Sequence, residues 1–191
     1  MTAQFLGAFI AGLVIYLLFG PSISAFESAH SITRGSAESV QTAKMFGEYY
    51  AAPGSTSIVS LPLAIATEAF GTFLLVLMIF ALTEGCNVGR PSDALAPLFI
   101  GLTVSSIICL VAPLTQAGLN PARDFGPRMV AWIFGWGDAA FPDKSAGFFL
   151  VYILGPLVGA GAASAFFLYA FEPTSKQLSQ KCDCNDESCE K

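Results

Sequence analysis

The sequence has few charged residues and only one histidine, His30. Only 12% of its 191 residues are Asp, Glu, Lys or Arg, about half the share that soluble domains carry. The nine basic residues form no cluster and the formal net charge is -5, which excludes binding to nucleic acid or to an anionic membrane surface. The sequence also lacks a Ser/His/Asp set, a phosphate-binding loop and a metal-ligand cluster. An enzyme is therefore not expected, and no cofactor or metal is predicted.

Long uncharged runs dominate the chain instead. Hydrophobic residues make up 54% of the sequence, and the mean hydropathy is +0.63. Four runs each reach the roughly 20 residues that a helix needs to cross the hydrocarbon core of a bilayer. We predict an all-α, multi-pass membrane domain over residues 1–171, followed by a charged, flexible tail at 172–191. The four predicted spans are residues 4–22, 61–83, 94–113 and 146–171.

A shorter helix is predicted between the third and fourth spans. Asn120 followed by Pro121 is typical of a helix start, because Asn caps the first N–H groups and Pro lacks one. The helix 121–131 would be about 16 Å long, half of a roughly 30 Å core. Residues 115–119 would then be irregular backbone at membrane depth, which is tolerated only if it is buried in protein or lines a cavity. This pattern predicts a pore or solute site.

The residues around this half-helix resemble a known signature. Segment 118–128 reads Gly-Leu-Asn-Pro-Ala-Arg-Asp-Phe-Gly-Pro-Arg and is followed by Gly-Trp-Gly at 135–137. It resembles the second Asn-Pro-Ala motif of the major intrinsic protein (aquaporin) family, and most of all its glycerol facilitators (aquaglyceroporins). Segments 34–40 and 95–102 are similar to the same proteins. The resemblance implies an aquaporin-like helical bundle that assembles as a homotetramer in a lipid bilayer and passes small neutral solutes.

The sequence departs from the family pattern in having one Asn-Pro-Ala motif rather than two. Its four spans match the family's third to sixth, so we expect the first two spans and the first half-helix to be absent. An internal similarity between residues 6–12 and 154–160 supports this register. Both segments carry small residues at a spacing of four, such as Gly155 and Gly159, which lets helices pack closely.

The resemblance assigns roles to individual residues. Within the motif Asn120, Pro121 and Ala122, the Asn120 amide would donate to the passing solute. The selectivity filter would contain Arg123, whose guanidinium donors orient oxygen atoms of the solute, together with Ala117 and Ile108. Backbone carbonyls at 116–118 would supply acceptors. The remaining residues assigned to the pore wall are Gln116, Gly118, Leu119, Leu75 and Val104.

Three charged residues are assigned supporting roles. Glu68 interrupts the second span, and a carboxylate inside a membrane is functional by default. The resemblance implies that it accepts hydrogen bonds from the pore-loop backbone, and proton coupling is the alternative. Asp124 and Arg128 lie four residues apart on the half-helix and so share a face. They either stabilise the helix or contribute to the filter.

Glycerol facilitators usually carry an aromatic residue at the position of Ala117 and a glycine at the position of Ile108, so the sequence departs from them at both filter positions. Because the filter has no histidine, strict water selectivity is not expected. The sequence predicts a passive, non-ion-conducting channel for glycerol, water, urea or other small polyols, in a plasma or bacterial inner membrane. The alternative is a truncated, non-conducting membrane fragment or interaction protein.

The remaining candidates for metal binding are weak. Cys182, Cys184 and Cys189 lie in the tail, but their spacing fits no zinc pattern and no fourth ligand is near. His30 lies in a polar loop and is interpreted as a solvated residue.

Overall fold

The computed structural model describes residues 2–50, 59–141 and 146–185, with side chains up to residue 179. These residues form helices and connecting turns, and the described part of the chain contains no strand. The α-helices are α1 Thr2–Ala29, α2 Val40–Ala43, α3 Leu61–Thr83, α4 Ala96–Thr115, α5 Pro121–Ala131, α6 Gly155–Phe166 and α7 Glu172–Asn185.

Among the described residues, four helical stretches are long and apolar enough to cross a membrane, which confirms the all-α membrane fold. They are Thr2–Ala29, Leu61–Thr83, Ala96–Thr115 and Phe149–Ser179. The last stretch contains α6, with wider turns on either side at Phe149–Leu154 and Phe167–Phe171, and continues into α7.

The first and last helices extend beyond their predicted ends. α1 continues through Pro21 to Ala29 rather than ending near residue 22, and this extension carries Glu27 to its partner Arg34. The tail, predicted to be flexible from residue 172, is helical to Asn185. An ion pair between Glu172 and Lys176, one turn apart, supports that helix.

The short helix α5 begins and ends where its sequence dictates. Asn120 is extended (φ -138°, ψ 113°), and its Oδ1 accepts the N–H groups of Ala122 at 3.0 Å and Arg123 at 3.3 Å. This satisfies N–H groups that the first helical turn leaves without partners. After Ala131, the chain leaves the helical conformation at Phe134 and Gly135, and the φ of 106° at Gly135 favours glycine.

Among the described helices, α5 packs on α1, while α3 packs on both α6 and α4. The α5–α1 and α6–α3 pairs approach each other closely through small residues. A Cβ added at Gly126 of α5 would lie 2.8 Å from the Cβ of Ala8, and one at Gly159 of α6 would lie 2.0 Å from the carbonyl oxygen of Ala69. Glycine is therefore required at both crossings, and the segments 6–12 and 154–160 each contribute to one of them.

Candidate functional site

The site is built around the non-helical segment 116–119 that joins α4 to α5. Three of its residues have a positive φ, namely Gln116 (66°), Ala117 (67°) and Leu119 (55°). Residues with a Cβ rarely adopt this conformation, and each one costs on the order of 1 kcal/mol or more. The surrounding structure must therefore hold the segment in place.

The fully buried carboxylate of Glu68 on α3 binds this segment. Its Oε1 accepts the N–H of Gly118 at 3.0 Å, and its Oε2 accepts the N–H of Leu119 at 2.7 Å. Thr72, one turn further along α3, donates its hydroxyl to the Leu119 carbonyl at 3.2 Å. A Cβ on Gly118 would lie 2.7 Å from the ring of Tyr152, so the segment needs glycine there. These are the backbone contacts that the resemblance implies for this acid.

Two residues assigned to the pore are buried in the protein core. Ala117 is 4% exposed and Leu119 is 6% exposed, and both pack in an apolar cluster with Ile107. The Leu119 side chain lies so close to α3 that a Cβ on Gly71 would meet it at 2.7 Å. These side chains leave little surface for a solute. Ile108, by contrast, is 41% exposed.

The other wall residues have mixed placements. Leu75 and Val104 are half-buried, and Leu75 packs against the cluster that contains Leu119. The side chain of Gln116 forms a hydrogen bond to another loop, because its Oε1 accepts the N–H of Tyr49 at 2.7 Å. This bond fixes the loop that precedes α3 to the segment that precedes α5.

Asn120 lies at the N-terminus of α5, and its side-chain amide is held in place by hydrogen bonds to the helix. The Oδ1 atom is used by the helix cap, which leaves the two N–H donors of Nδ2 for another partner. Its own N–H donates to the Gly118 carbonyl at 2.6 Å. Of the three backbone acceptors expected at 116–118, the one at Gly118 is therefore already engaged within the protein.

Arg123 forms an ion pair that sequence reasoning missed. Its Nη1 donates to Oε1 of Glu48, a residue of the loop between α2 and α3. The Arg123 side chain is 55% exposed and that of Glu48 is 15% exposed. Burial raises the pKa of the Glu48 carboxyl above its usual range, and the charge of Arg123 partly opposes that shift.

Asp124 and Arg128 form a second ion pair, completely buried, that binds the same loop. Arg128 Nε donates to Asp124 Oδ2 at 2.7 Å. Asp124 Oδ1 accepts the N–H of Glu48 at 2.8 Å, and Arg128 Nη2 donates to the Glu48 carbonyl. Arg128 Nη1 also donates to the Ala140 carbonyl at 2.7 Å. The pair therefore does more than stabilise α5, because it holds both backbone groups of one loop residue.

The residues next to Glu48 fit the loop closely against Arg128. A Cβ on Gly47 would lie 2.6 Å from Cζ of Arg128, so the loop can approach only with glycine there. The guanidinium lies 4.8 Å from the ring centroid of Tyr49. Burial raises the pKa of Tyr49 to about 12, and its phenol donates to the Ala139 carbonyl at 2.7 Å.

A further network fixes the other end of this loop region. Arg34 Nη2 pairs with Glu27 Oε2 at 2.7 Å, and the guanidinium carbon lies 4.0 Å from the ring centroid of Trp136. The Trp136 indole N–H donates to Thr42 Oγ1 at 2.9 Å, and that hydroxyl donates to Glu27 Oε1 at 2.8 Å. The segment after α5 is thus tied to α1 and α2.

One signal in the sequence could have identified Glu48. The half-helix carries two arginines, Arg123 and Arg128, but only one acid, Asp124. Because a charge at membrane depth is costly without a partner, the surplus positive charge predicts a second acid from outside the helix. The loop offered several candidates, and only the fold selects Glu48.

The described residues contain no group of three or more side chains suited to a metal ion. Cys86 and Cys109 are free thiols. Cys182, Cys184 and Cys189 lie outside the residues whose side chains are described. His30 is exposed, and its ring stacks 4.0 Å from that of Phe26.

Comparison with known proteins identifies the family. A sequence profile described as "Major intrinsic protein" matches residues 1–169. The chain is 43% identical over 168 residues to the propanediol uptake facilitator PduF of Citrobacter freundii, covering 87% of this chain and 60% of that protein. It is 41% identical over 161 residues to the glycerol uptake facilitator of Escherichia coli K12, covering 84% of this chain and 55% of that protein.

A solved structure agrees with this fold. The aquaglyceroporin from Plasmodium falciparum superimposes with a TM-score of 0.71 at 23% identity, covering 92% of this chain and 64% of that one. The chain spans 60% and 55% of the lengths of the two bacterial relatives.

Proposed function

The chain belongs to the major intrinsic protein family, and from this premise we propose that a channel containing it carries small neutral solutes down their concentration gradient. The chain is an integral membrane protein and not an enzyme. The observation that carries the proposal is the arrangement at the start of α5. There the cap uses Asn120 Oδ1 and leaves the amide donors available, next to a segment whose strained, left-handed backbone Glu68 holds in place.

The solute class follows from the donors and acceptors of this site. Asn120 Nδ2 and the Arg123 guanidinium supply donors, and the backbone carbonyls of Gln116 and Ala117 supply acceptors. Ile108 adds an exposed apolar surface. A small polyol such as glycerol or a propanediol has both hydroxyls and an apolar carbon edge, so it matches this combination. Water and urea are small enough to follow the same path.

We also propose what surrounds the channel, namely lipid and neighbouring subunits. Large apolar side chains on the outer surface of α1, such as Leu17 and Leu18, are exposed and would contact lipid or a neighbouring subunit. A homotetramer in a plasma or bacterial inner membrane is the arrangement that the family resemblance supports. Cations would be excluded because the positive end of the α5 dipole repels them.

The test uses the completed channel, defined as residues 1–191 co-expressed with the N-terminal part of the Citrobacter freundii relative that this chain does not match. Co-purification of the two polypeptides reports assembly. Stopped-flow light scattering of proteoliposomes under a glycerol gradient then measures flux. Glycerol entry well above that of empty vesicles, with no sodium or proton current, supports the proposal. An assembled complex that passes ions, or no glycerol, contradicts it and favours the interaction-protein alternative.

A further inference from the structure

The ion pair between Glu48 and Arg123 joins two residues that lie 75 positions apart in the sequence. Arg123 extends from the first turn of α5, at the proposed filter, and Glu48 reaches it from the loop between α2 and α3. The guanidinium is therefore not a free cation in this protein. Its nearest counter-charge is part of the same surface that a solute would meet.

We infer that Glu48 is a selectivity residue of the pore, which neutralises Arg123 and places a carboxylate acceptor beside the guanidinium donors. The inference rests on the proposed channel function. It states that the Glu48–Arg123 pair determines which class of solute the channel accepts. A 1,2-diol both donates and accepts hydrogen bonds on neighbouring carbons, so one hydroxyl can donate to Glu48 while the other accepts from Arg123. Small vicinal diols and triols are the solutes that match this pair.

The position of Glu48 is fixed by its backbone. Its N–H binds Asp124 Oδ1 at 2.8 Å, and its carbonyl accepts from Arg128 Nη2. The Asp124–Arg128 pair that makes both contacts is itself buried. The following N–H, that of Tyr49, binds Gln116 at 2.7 Å. The side chain of Glu48 therefore leaves a backbone that is fastened at three successive polar groups, and it cannot move away without breaking buried hydrogen bonds.

Every charged side chain of α5 has an ionic partner when Glu48 is counted. The charged groups that face Glu48 are Arg123, Asp124 and Arg128. Asp124 and Arg128 neutralise each other within α5, which leaves Arg123 and Glu48 as the second neutral pair. If Arg123 is removed, Glu48 remains as an uncompensated, largely buried carboxylate at the filter. Such a group attracts cations, because opposite charges interact strongly where water is scarce.

This reasoning predicts non-additive effects of substitutions in the completed channel. We expect Arg123→Val to admit methylammonium, because Glu48 is left without a partner. The double variant Arg123→Val with Glu48→Gln should lose that leak by about tenfold, the factor that corresponds to about 1.4 kcal/mol. The matched control is Arg123→Val with Glu38→Gln, since Glu38 is an exposed acid in the short turn that precedes α2. It should leak as much as Arg123→Val alone.

The result that overturns the inference is an equal methylammonium leak in Arg123→Val and in its double variant with Glu48→Gln. Tight vesicles with Arg123→Val, showing no leak at all, would overturn it as well. Failure of the proposed function is seen separately, as absence of glycerol flux in the completed channel without substitutions.

A second measurement does not depend on transport. Phenylglyoxal reacts with arginine side chains that are accessible and unpaired, and mass spectrometry locates the modified residue. In the purified 191-residue chain in detergent, Glu48→Gln should raise the labelling rate of Arg123 about tenfold, again the factor for about 1.4 kcal/mol. Arg128 is buried against Asp124 and is the internal reference. Glu38→Gln should change neither rate.

Unchanged labelling of Arg123 in Glu48→Gln would overturn the inference. If that variant also exposes Arg128 and so has lost its fold, Glu48→Asp decides, because it keeps the charge and the backbone contacts but shortens the side chain. If Glu48→Asp is labelled at Arg123 faster than the chain without substitutions but more slowly than Glu48→Gln, the ion pair is supported. A rate equal to that of the chain without substitutions contradicts it.

Discussion

The Oε2 atom of Glu68 lies 2.7 Å from the backbone nitrogen of Leu119, and this bond joins α3 to the segment that precedes the half-helix. The other carboxylate oxygen accepts the N–H of Gly118 at 3.0 Å. Both acceptors are needed, because the segment has a strained backbone and its N–H groups are buried.

Glu68→Gln should therefore destabilise the protein, although the two side chains have nearly the same size and shape. The glutamine amide replaces one acceptor with a donor, which leaves a buried N–H unsatisfied at a cost of about 1–3 kcal/mol. We expect a lower Tm in detergent, measured by tryptophan fluorescence. Glu84→Gln, at the C-terminal end of α3, is the control and should melt with the parent chain. Equal Tm values for all three proteins would mean that Glu68 does not hold the segment.

Gly159→Ala should weaken the contact between α6 and α3. The new Cβ would lie 2.0 Å from the Ala69 carbonyl oxygen, so the two helices must separate. Overpacking of this kind costs about 1–3 kcal/mol. The matched control is Gly161→Ala, two residues away on the same helix, where an added Cβ meets nothing within 4 Å. Thermal melting should show a loss for the first variant and no loss for the second, and the reverse order would contradict this crossing.

The methylammonium leak of Arg123→Val should depend on pH. Burial raises the pKa of Glu48 above that of an ordinary glutamate, about 4.3, and Arg123 is one of the groups that lowers it. Removing Arg123 therefore raises the pKa further, while the nearby Asp124 and Arg128 have opposing effects. Acidification protonates Glu48 and removes its charge, so the leak should fall as the pH falls, with a midpoint above about 4.3. Vesicle flux between pH 8 and pH 5 measures this.

The contribution of Glu48 to stability changes with pH in the direction opposite to the leak. Because the pKa is raised on folding, the contribution of Glu48 to the folding free energy is most favourable at low pH and declines as the pH rises through the folded-state value. A leak that stays constant across the range, or one that grows on acidification, would show that Glu48 is not the charge that attracts the cation.

The 191-residue chain expressed alone should not conduct glycerol. The start of α5 would lack the opposing half of the family fold, so the two N–H donors of Asn120 Nδ2 would face lipid, at a cost of several kcal/mol for each unsatisfied group. Co-expression with the N-terminal part of the Citrobacter freundii relative should restore flux. Glycerol entry into vesicles that contain only this chain, clearly above that of empty vesicles, would contradict the prediction and indicate pores formed by two copies.

Local signals in the sequence were sufficient for much of the fold. The uncharged runs indicated the membrane helices, and Asn120 with Pro121 indicated where α5 begins. The placement of Leu119 could not be predicted, because its left-handed backbone is stabilised by Glu68 and Thr72, which lie far from it in the sequence. The partner of Arg123 could not be predicted either, since it comes from a loop far away in the sequence.

The loop is held to α5 by backbone groups of residue 48, whereas the side chain of that residue is the part proposed to contact the solute. The Asp124–Arg128 pair binds an N–H and a carbonyl, and every amino acid except proline offers both. The side chain at position 48 can therefore change by mutation while the loop keeps its attachment to α5. This position gives the protein a site where solute preference can evolve without rebuilding the scaffold that carries it.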